Sequence, residues 1–246
     1  VSATVVIPAR FGSTRFPAKI VASKTGKPLV QHVVDRAKVA KLPRQVVVAT
    51  DDQRIVDSLL PFGTRAVMTS ASHASGTDRV AEVAGGLAAG DDIIVNVQGD
   101  EPEIEPGTID GLIRLLQEDA TLEMATAITR FPPHEEVDNP NLVKCVVGTT
   151  GNAIYFSRAA IPYHRDASSA VPAYYLHLGI YAYRRDFLLK LATLPPTALE
   201  QSEKLEQLRV LEHGYRIGTV VVERAVHGID TPEQYEAFVK RFSETI

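Results

Sequence analysis

One cysteine among 246 residues, Cys145, leaves no internal disulfide to form and no cysteine-based metal cage to build. That scarcity fits a reducing compartment, and Cys145 itself reads as a small buried side chain in an apolar strand. No stretch approaches the roughly 20 apolar residues of a membrane span, and the chain opens directly into a strand with no basic segment before an apolar run. The expectation is a soluble cytoplasmic protein with no membrane partner. Positive charge is short as well: 26 Lys and Arg stand against 30 Asp and Glu, a net charge of -4, so no broad basic field recruits nucleic acid. Any anion must be held by local charge. The chain has no Walker A ending in G-K-[ST], and no G-x-G-x-x-G follows its first strand, which leaves a dinucleotide oxidoreductase poorly supported. It also lacks the G-x-S-x-G elbow of a serine nucleophile.

What is present is a globular composition, 45% hydrophobic and 23% charged, at a length that suits one α/β domain with an insertion. Short apolar runs alternate with segments of helical period, the pattern of βα units around a mainly parallel sheet. Strands are expected at Thr4–Pro8, Gln45–Thr50, Ala66–Thr69, Ile93–Val97 and Met124–Ile128. Helices are expected at Leu29–Lys41, at Gln53–Leu60 (stopped by Pro61 and Gly63), from about Thr77 to Leu87, and near Pro106–Gln117. The alternation then loosens. Pro132 to Asn141 is a loop, Val143–Val147 and Ala153–Ser157 read as paired strands, and Ile161 to Ala173 is irregular. Strand Leu178–Tyr183, helix Asp186–Leu194, helix Ser202–Glu212, strand Ile217–Glu223 and a helix from Pro232 to about Phe242 follow.

In open α/β sheets ligands sit outside the carboxyl ends of the strands. After the first strand comes Arg10-Phe11-Gly12-Ser13-Thr14-Arg15-Phe16-Pro17-Ala18-Lys19, in which three cations and a Gly-Ser-Thr turn suit a triphosphate: Arg10, Arg15 and Lys19 bring charge and donors, and Gly12 lets backbone N–H groups approach phosphate oxygens. The plain alternative is a solvated basic surface. After Ile93–Val97, Gly99 presents Asp100; after Ile217–Glu223, a turn presents Asp230. Two distant carboxylates beside a phosphate loop suit Mg²⁺, which takes one or two carboxylates and fills its remaining positions with water and phosphate. Asp230, ahead of Thr231-Pro232, could equally serve only to cap a helix.

In order and over nearly the whole chain, the strings PARFGSTRFPAK, SHASGTDR, NVQGDEP, NPNLVK, YFSRAAIPY, HLGIYAYR, LEQLRVLEHG and HGIDTPEQ resemble the cytidylyltransferases that activate 3-deoxy-manno-octulosonate (Kdo). The resemblance implies a three-layer Rossmann-like nucleotidyltransferase fold in which about 131–185 forms an inserted β-rich lobe for sugar binding and dimerisation. It implies an enzyme that converts CTP and Kdo to CMP-Kdo and pyrophosphate with Mg²⁺, a homodimer, and a place in lipopolysaccharide biosynthesis. Carried over by position, Arg10, Ser13, Arg15, Lys19, Ser75, Gly76 and Arg79 match nucleotide-binding residues, with Lys19, Arg10 and Asp100 catalytic and Asp100 and Asp230 on the metal. Gln98, Arg158, His177, Tyr181, Glu206 and Gln207 occupy positions that surround Kdo in that family. Each has a bland alternative: His177 as a satisfied core histidine, Tyr181 as an aromatic on a strand face, and Glu206 with Arg209 as an (i, i+3) surface pair.

The chain also departs from the family pattern. Phe16 and Ala18 stand where Leu and Gly are common, Asp78 replaces a common Glu, and Tyr163-His164-Arg165-Asp166 differs from a more usual Trp-Asp-Arg-Asp. A cytidylyltransferase for 8-amino-Kdo, or for another 2-keto sugar acid such as sialic acid, therefore stays open, as does a nucleotide-sensing domain without turnover.

Overall fold

The computed structural model describes residues 2–166, 168, 170, 172–226 and 228–244. His227 of the HGIDTPEQ string, and Ala167, Ser169 and Val171 of the irregular stretch, lie outside the described residues. The chain divides into two compact units, Val1–Asp110 with Val226–Ile246, and Gly111–Ala225.

In the first unit, β1 (Ser2–Ala9), β2 (Pro43–Thr50), β3 (Ala66–Met68) and β4 (Asp91–Asn96) run parallel in the order β3-β2-β1-β4. Their sequences are nearly continuous Val, Ile and Ala because helices cover parallel strands on both faces; Val5, Val6, Ile7, Ile93, Ile94 and Val95 are all fully buried. Helix α1 (Leu29–Val39) buries Leu29, Val30, Val33, Val34 and Ala37, one stripe at helical spacing. It stops two residues short of the expected Lys41, since the N–H groups of Lys41 and Leu42 donate instead to the Asp110 carboxylate at 2.9 Å each. Helix α2 (Gln53–Leu59) begins at the Asp52 cap, and α3 (Gly76–Gly85) at a capping box made by Ser75 and Asp78. Pro61 does not end the helical path but enters a 3₁₀ turn, Leu60–Phe62, which closes at left-handed Gly63.

A second 3₁₀ turn, Lys19–Val21, was not legible in the sequence. It starts from Ala18 at φ 57°, ψ 23°, a left-handed conformation in which a Cβ crowds the following carbonyl. A glycine at this position would remove that crowding. Ala18→Gly is expected to stabilise the chain by about 0.5 kcal/mol, the relief of strain outweighing the added freedom of the unfolded chain; a denaturant midpoint that falls would contradict it.

Helix α4 (Pro106–Glu118) begins in the first unit and ends in the second. In the second unit, β5 (Met124–Arg130) pairs antiparallel with β8 (Tyr175–Arg184) and parallel with β9 (Ile217–Val222). Between them in sequence, β6 (Lys144–Val147) and β7 (Ala153–Ser157) form the expected hairpin, turned at Gly151 with φ 81°. Lys144 is fully buried. Its ammonium donates to the carbonyls of Asn139, Leu142 and Arg158 at 3.0, 2.6 and 2.6 Å, so all three N–H bonds are spent on backbone.

Helix α5 (Arg185–Leu191) ends before Leu194. The helix expected over Ser202–Glu212 is two: α6 (Ala198–Glu203) and α7 (Gln207–Glu212), separated by Lys204 at φ 55°. Tertiary bonds hold the break. The Arg158 guanidinium donates to the carbonyl of Glu203 at 2.7 Å, while the Glu203 carboxylate accepts from Ser157 at 2.6 Å and from the Arg158 N–H at 2.9 Å. The chain closes with α8 (Pro232–Ser243), which returns to the first unit and packs Tyr235 and Phe238 against Leu29 and Ile229. Among the described residues no helix is long and apolar enough to cross a membrane.

Candidate active site

Because β1 and β4 are adjacent and parallel, with Val6 opposite Asn96, the segments after their carboxyl ends emerge side by side. They line a cavity of about 480 Å³ in the first unit, together with the start of α3 and the turn before α8. Gly99 makes the approach possible. A Cβ there would lie 2.9 Å from the Pro8 carbonyl oxygen, a backbone atom. Gly99→Ala is expected to lower stability by about 1–3 kcal/mol by forcing the two segments apart, which thermal denaturation would register as a lower Tm.

Lys19 is the centre of the cavity's charge. It is 9% exposed, and its Nζ donates to Asp100 Oδ2 at 2.6 Å, Asp230 Oδ1 at 2.9 Å and the Ile229 carbonyl at 2.9 Å. Burial alone would lower its pKa. The hydrogen bond and charge of Asp100, then those of Asp230, more than offset this and hold it above the ordinary lysine value. Asp230 also meets Arg15 Nη2 at 3.0 Å. The cap of α8 is its neighbour Thr231, in a capping box with Gln234, and the Asp230 carboxylate lines the cavity. Asp100 is braced by its own carbonyl, which accepts from the Ile229 N–H at 2.8 Å. Next to it, burial and the Asp100 charge push the Glu101 carboxyl up to about 8, so Glu101 is held largely as the neutral acid at pH 7.

Most of the sequence-predicted nucleotide residues line this cavity: Arg10, Ser13, Arg15, Lys19, Gly76 and Arg79, together with Gln98, Asp100 and Asp230. Arg10 is exposed and has no ionic partner among the described residues. Arg79 is 5% exposed, with one Nη on Asp51 Oδ2 at 2.7 Å and the other on the Thr69 hydroxyl. Sequence reasoning missed Asp51, although it stands just after β2, where the strand-end rule applied to β1, β4 and β9 would have found it. Ser75 is not on the lining. Its hydroxyl oxygen accepts from the Asp78 N–H at 3.1 Å, and Asp78, despite being shorter than Glu, completes the reciprocal bond to the Ser75 N–H at 3.1 Å.

The remaining candidates lie in the second unit. His177, Tyr181 and Gln207 form a chain: His177 and Tyr181 ring centroids are 5.5 Å apart, and the Tyr181 hydroxyl is 3.5 Å from Gln207 Oε1. Gln207 is 4% exposed and its Nε2 has no partner among the described residues. Burial pushes His177 down to about 3, so it is neutral at physiological pH; its Nε2 shares a 3.0 Å bond with the Thr126 hydroxyl and its ring meets Phe156 edge-on. Those are the contacts of a satisfied histidine. The Arg209 guanidinium binds Glu200 at 2.7 and 2.5 Å. Arg158 is not gathered with this chain of three. Beyond Glu203 it donates to the Pro140 carbonyl at 2.8 Å, so its guanidinium organises the backbone ahead of Glu206. Cys145 is buried, and burial pushes its thiol up to about 12, as suits an inert strand residue.

The sequence profile of the cytidylyltransferase family matches residues 4–217. A 3-deoxy-manno-octulosonate cytidylyltransferase of Solibacter usitatus (strain Ellin6076) is 48% identical over 98% of this chain and 94% of its own length. That of Geotalea uraniireducens (strain Rf4) is 49% identical over 98% of this chain and 99% of its own. Among solved structures, a CMP:2-keto-3-deoxy-manno-octonic acid synthetase complexed with CTP is similar at 42% identity and a TM-score of 0.93, covering 100% of both chains. The chain therefore has the mixed α/β nucleotidyltransferase fold with a mostly parallel sheet, and it belongs to the 3-deoxy-manno-octulosonate cytidylyltransferase family.

Proposed function

We propose that this chain transfers CMP from CTP to the anomeric hydroxyl of Kdo, giving CMP-Kdo and pyrophosphate for lipopolysaccharide biosynthesis in the cytoplasm. The observation that carries the reading is one buried ammonium held between two carboxylates in a cavity walled by the cationic loop. The hydroxyl is a weak, neutral nucleophile beside its own carboxylate, and the α-phosphorus is ringed by negative oxygens. Repulsion is the obstacle, so catalysis reduces to positioning and fixed charge, with no covalent enzyme intermediate. Arg10 and Arg15 hold the departing pyrophosphate, and Lys19 stabilises charge on the α-phosphoryl oxygens. Arg79, steadied by Asp51, and the N-terminal turn of α3 at Ser75 and Gly76 take the nucleotide.

The residues present fit Mg²⁺. Two hard carboxylate groups already converge on a single cation, the Lys19 ammonium. Among the described residues no cluster of three or more His, Cys, Asp or Glu could hold a metal by itself, as expected where water and phosphate supply the remaining positions. Asp100 and Asp230 would hold the ion, and when bound it supplies charge neutralisation and a lower pKa for the attacking hydroxyl. By the sequence resemblance, Arg158, His177, Tyr181, Glu206 and Gln207 of the second unit are assigned to the sugar acid, with the orphaned Gln207 Nε2 as a donor for it. The lobe of about 131–185 is assigned to sugar binding and to a homodimer, supported by the exposed apolar side chains of Ile154 and Tyr163, 61% and 85% accessible.

Pyrophosphate release from CTP and Mg²⁺ tests the reading, with Kdo, 8-amino-Kdo and sialic acid as acceptors and UTP and EDTA as controls. Release with Kdo that is lost in EDTA and with UTP is the expected result. Release with another sugar acid alone would move the specificity, and silence with all three would reject the transferase reading.

A further inference from the structure

No helix or strand spans the loop between Ala9 and Lys19, yet Arg10 and Arg15 have to meet phosphate oxygens in a defined geometry. Two aromatic side chains bracket the segment. Phe16 packs on Tyr235, ring centroids 5.6 Å apart, beside the cluster of Leu29, Ile229 and Phe238. At the other end, the Cζ of Arg54 lies 3.4 Å from the centroid of the Phe11 ring, one residue from Arg10. Arg54 is itself fixed. Its Nε and Nη2 donate to the two oxygens of Asp52 at 2.9 and 2.6 Å, and its backbone N–H donates to the same carboxylate at 3.0 Å, at the start of α2. One edge of the guanidinium is thus spent on Asp52, and its face is left for the ring.

The core has no use for this stack, since the Arg54 side chain stands 65% exposed. Asp52 also neutralises the Arg54 charge, so the group adds geometry to the loop rather than field. We propose that Asp52, Arg54 and Phe11 form a clamp that positions Arg10 for the nucleotide's triphosphate, which makes Phe11 and Arg54 positioning residues for nucleotide binding. The inference rests on the loop being the triphosphate site, as in the function proposed above.

Titration calorimetry of CTP, and separately of inorganic tripolyphosphate, tests it on the wild-type chain, Phe11→Ala, Phe11→Tyr, Arg54→Ala and the Phe11→Ala/Arg54→Ala double variant. Loss of one exposed stack should raise both dissociation constants about three- to tenfold in either single Ala variant. Phe11→Tyr should restore them, the double variant should be no weaker than the weaker single, and Tm should stay within about 2 °C, as for an exposed site outside the core. In turnover, KM for CTP should rise by the same factor with KM for the sugar acid unchanged. Constants within twofold of wild type in Phe11→Ala would overturn the clamp, as would multiplying losses in the double variant or a failure of Phe11→Tyr to rescue. Wild-type chain that binds neither CTP nor tripolyphosphate would overturn the loop reading and the clamp together. Binding of CTP without turnover of any acceptor would reject the transferase function alone, and the clamp would still be judged on the dissociation constants.

Discussion

Lys19→Ala is expected to lower kcat about a hundred- to a thousandfold, the scale of removing one preorganised donor to transition-state charge, while KM for Kdo changes about twofold or less. The side chain is placed before any substrate arrives: left-handed Ala18 turns the chain into the Lys19–Val21 turn, and three acceptors within 2.9 Å fix the ammonium. Charge held ready in this way favours the state in which negative charge builds up on the α-phosphoryl oxygens. A rise in KM with kcat intact would make Lys19 a ground-state binder instead. The pH dependence follows from the direction of its shift. With a folded-state pKa above the ordinary 10.5, Lys19 is protonated throughout the neutral range. Its contribution to stability is complete below the unfolded value and is lost only as pH rises through the folded one. The kcat profile should therefore show no Lys19 limb between about pH 6 and 9. An alkaline limb in that window that disappears in Lys19→Arg would contradict the shift.

Asp100→Asn and Asp230→Asn should each cut turnover by at least about a thousandfold, since each removes one of the two carboxylates assigned to the cation and leaves an amide that carries no charge. The two should differ in their effect on the free protein. Asp100 makes the 2.6 Å contact to the buried ammonium, whereas Asp230 is more exposed and shares its charge between Lys19 and Arg15. Asp100→Asn should therefore cost more stability, about 1–2 kcal/mol against less than about 1 for Asp230→Asn. Near-normal rates with unchanged Mg²⁺ dependence in either variant would remove that residue from the metal. Circular dichroism that matches wild type separates a lost ligand from a lost fold.

Much of this is readable in the sequence. The apolar runs of β1, β2 and β4 declare parallel, two-sided burial, and the strand-end rule leads from β1 and β4 to Lys19 and Asp100. Three things were hidden, each because a tertiary contact decides it. Lys204 breaks what reads as one helix because Arg158 and Ser157 hold Glu203 from another part of the chain. Asp230 is indistinguishable from a cap until its contacts with Lys19 and Arg15 are seen. The Phe11–Arg54 stack joins residues 43 apart in sequence, and no local period announces it. The sugar-side residues were named by likeness of sequence, and the contacts of His177 and Arg158 are largely internal to their own unit.

The buried thiol of Cys145 gives the second unit a built-in reporter. It is the chain's one cysteine, it lies in β6, and its thiol is raised to about 12, so a maleimide or disulfide reagent can react only when that strand opens and admits solvent. The labelling rate of the untouched protein thus measures the opening free energy of the Gly111–Ala225 unit without any introduced probe. Repeating it with CTP, whose proposed contacts lie in the other unit, reads directly whether nucleotide occupancy is transmitted to the sugar-side unit as protection.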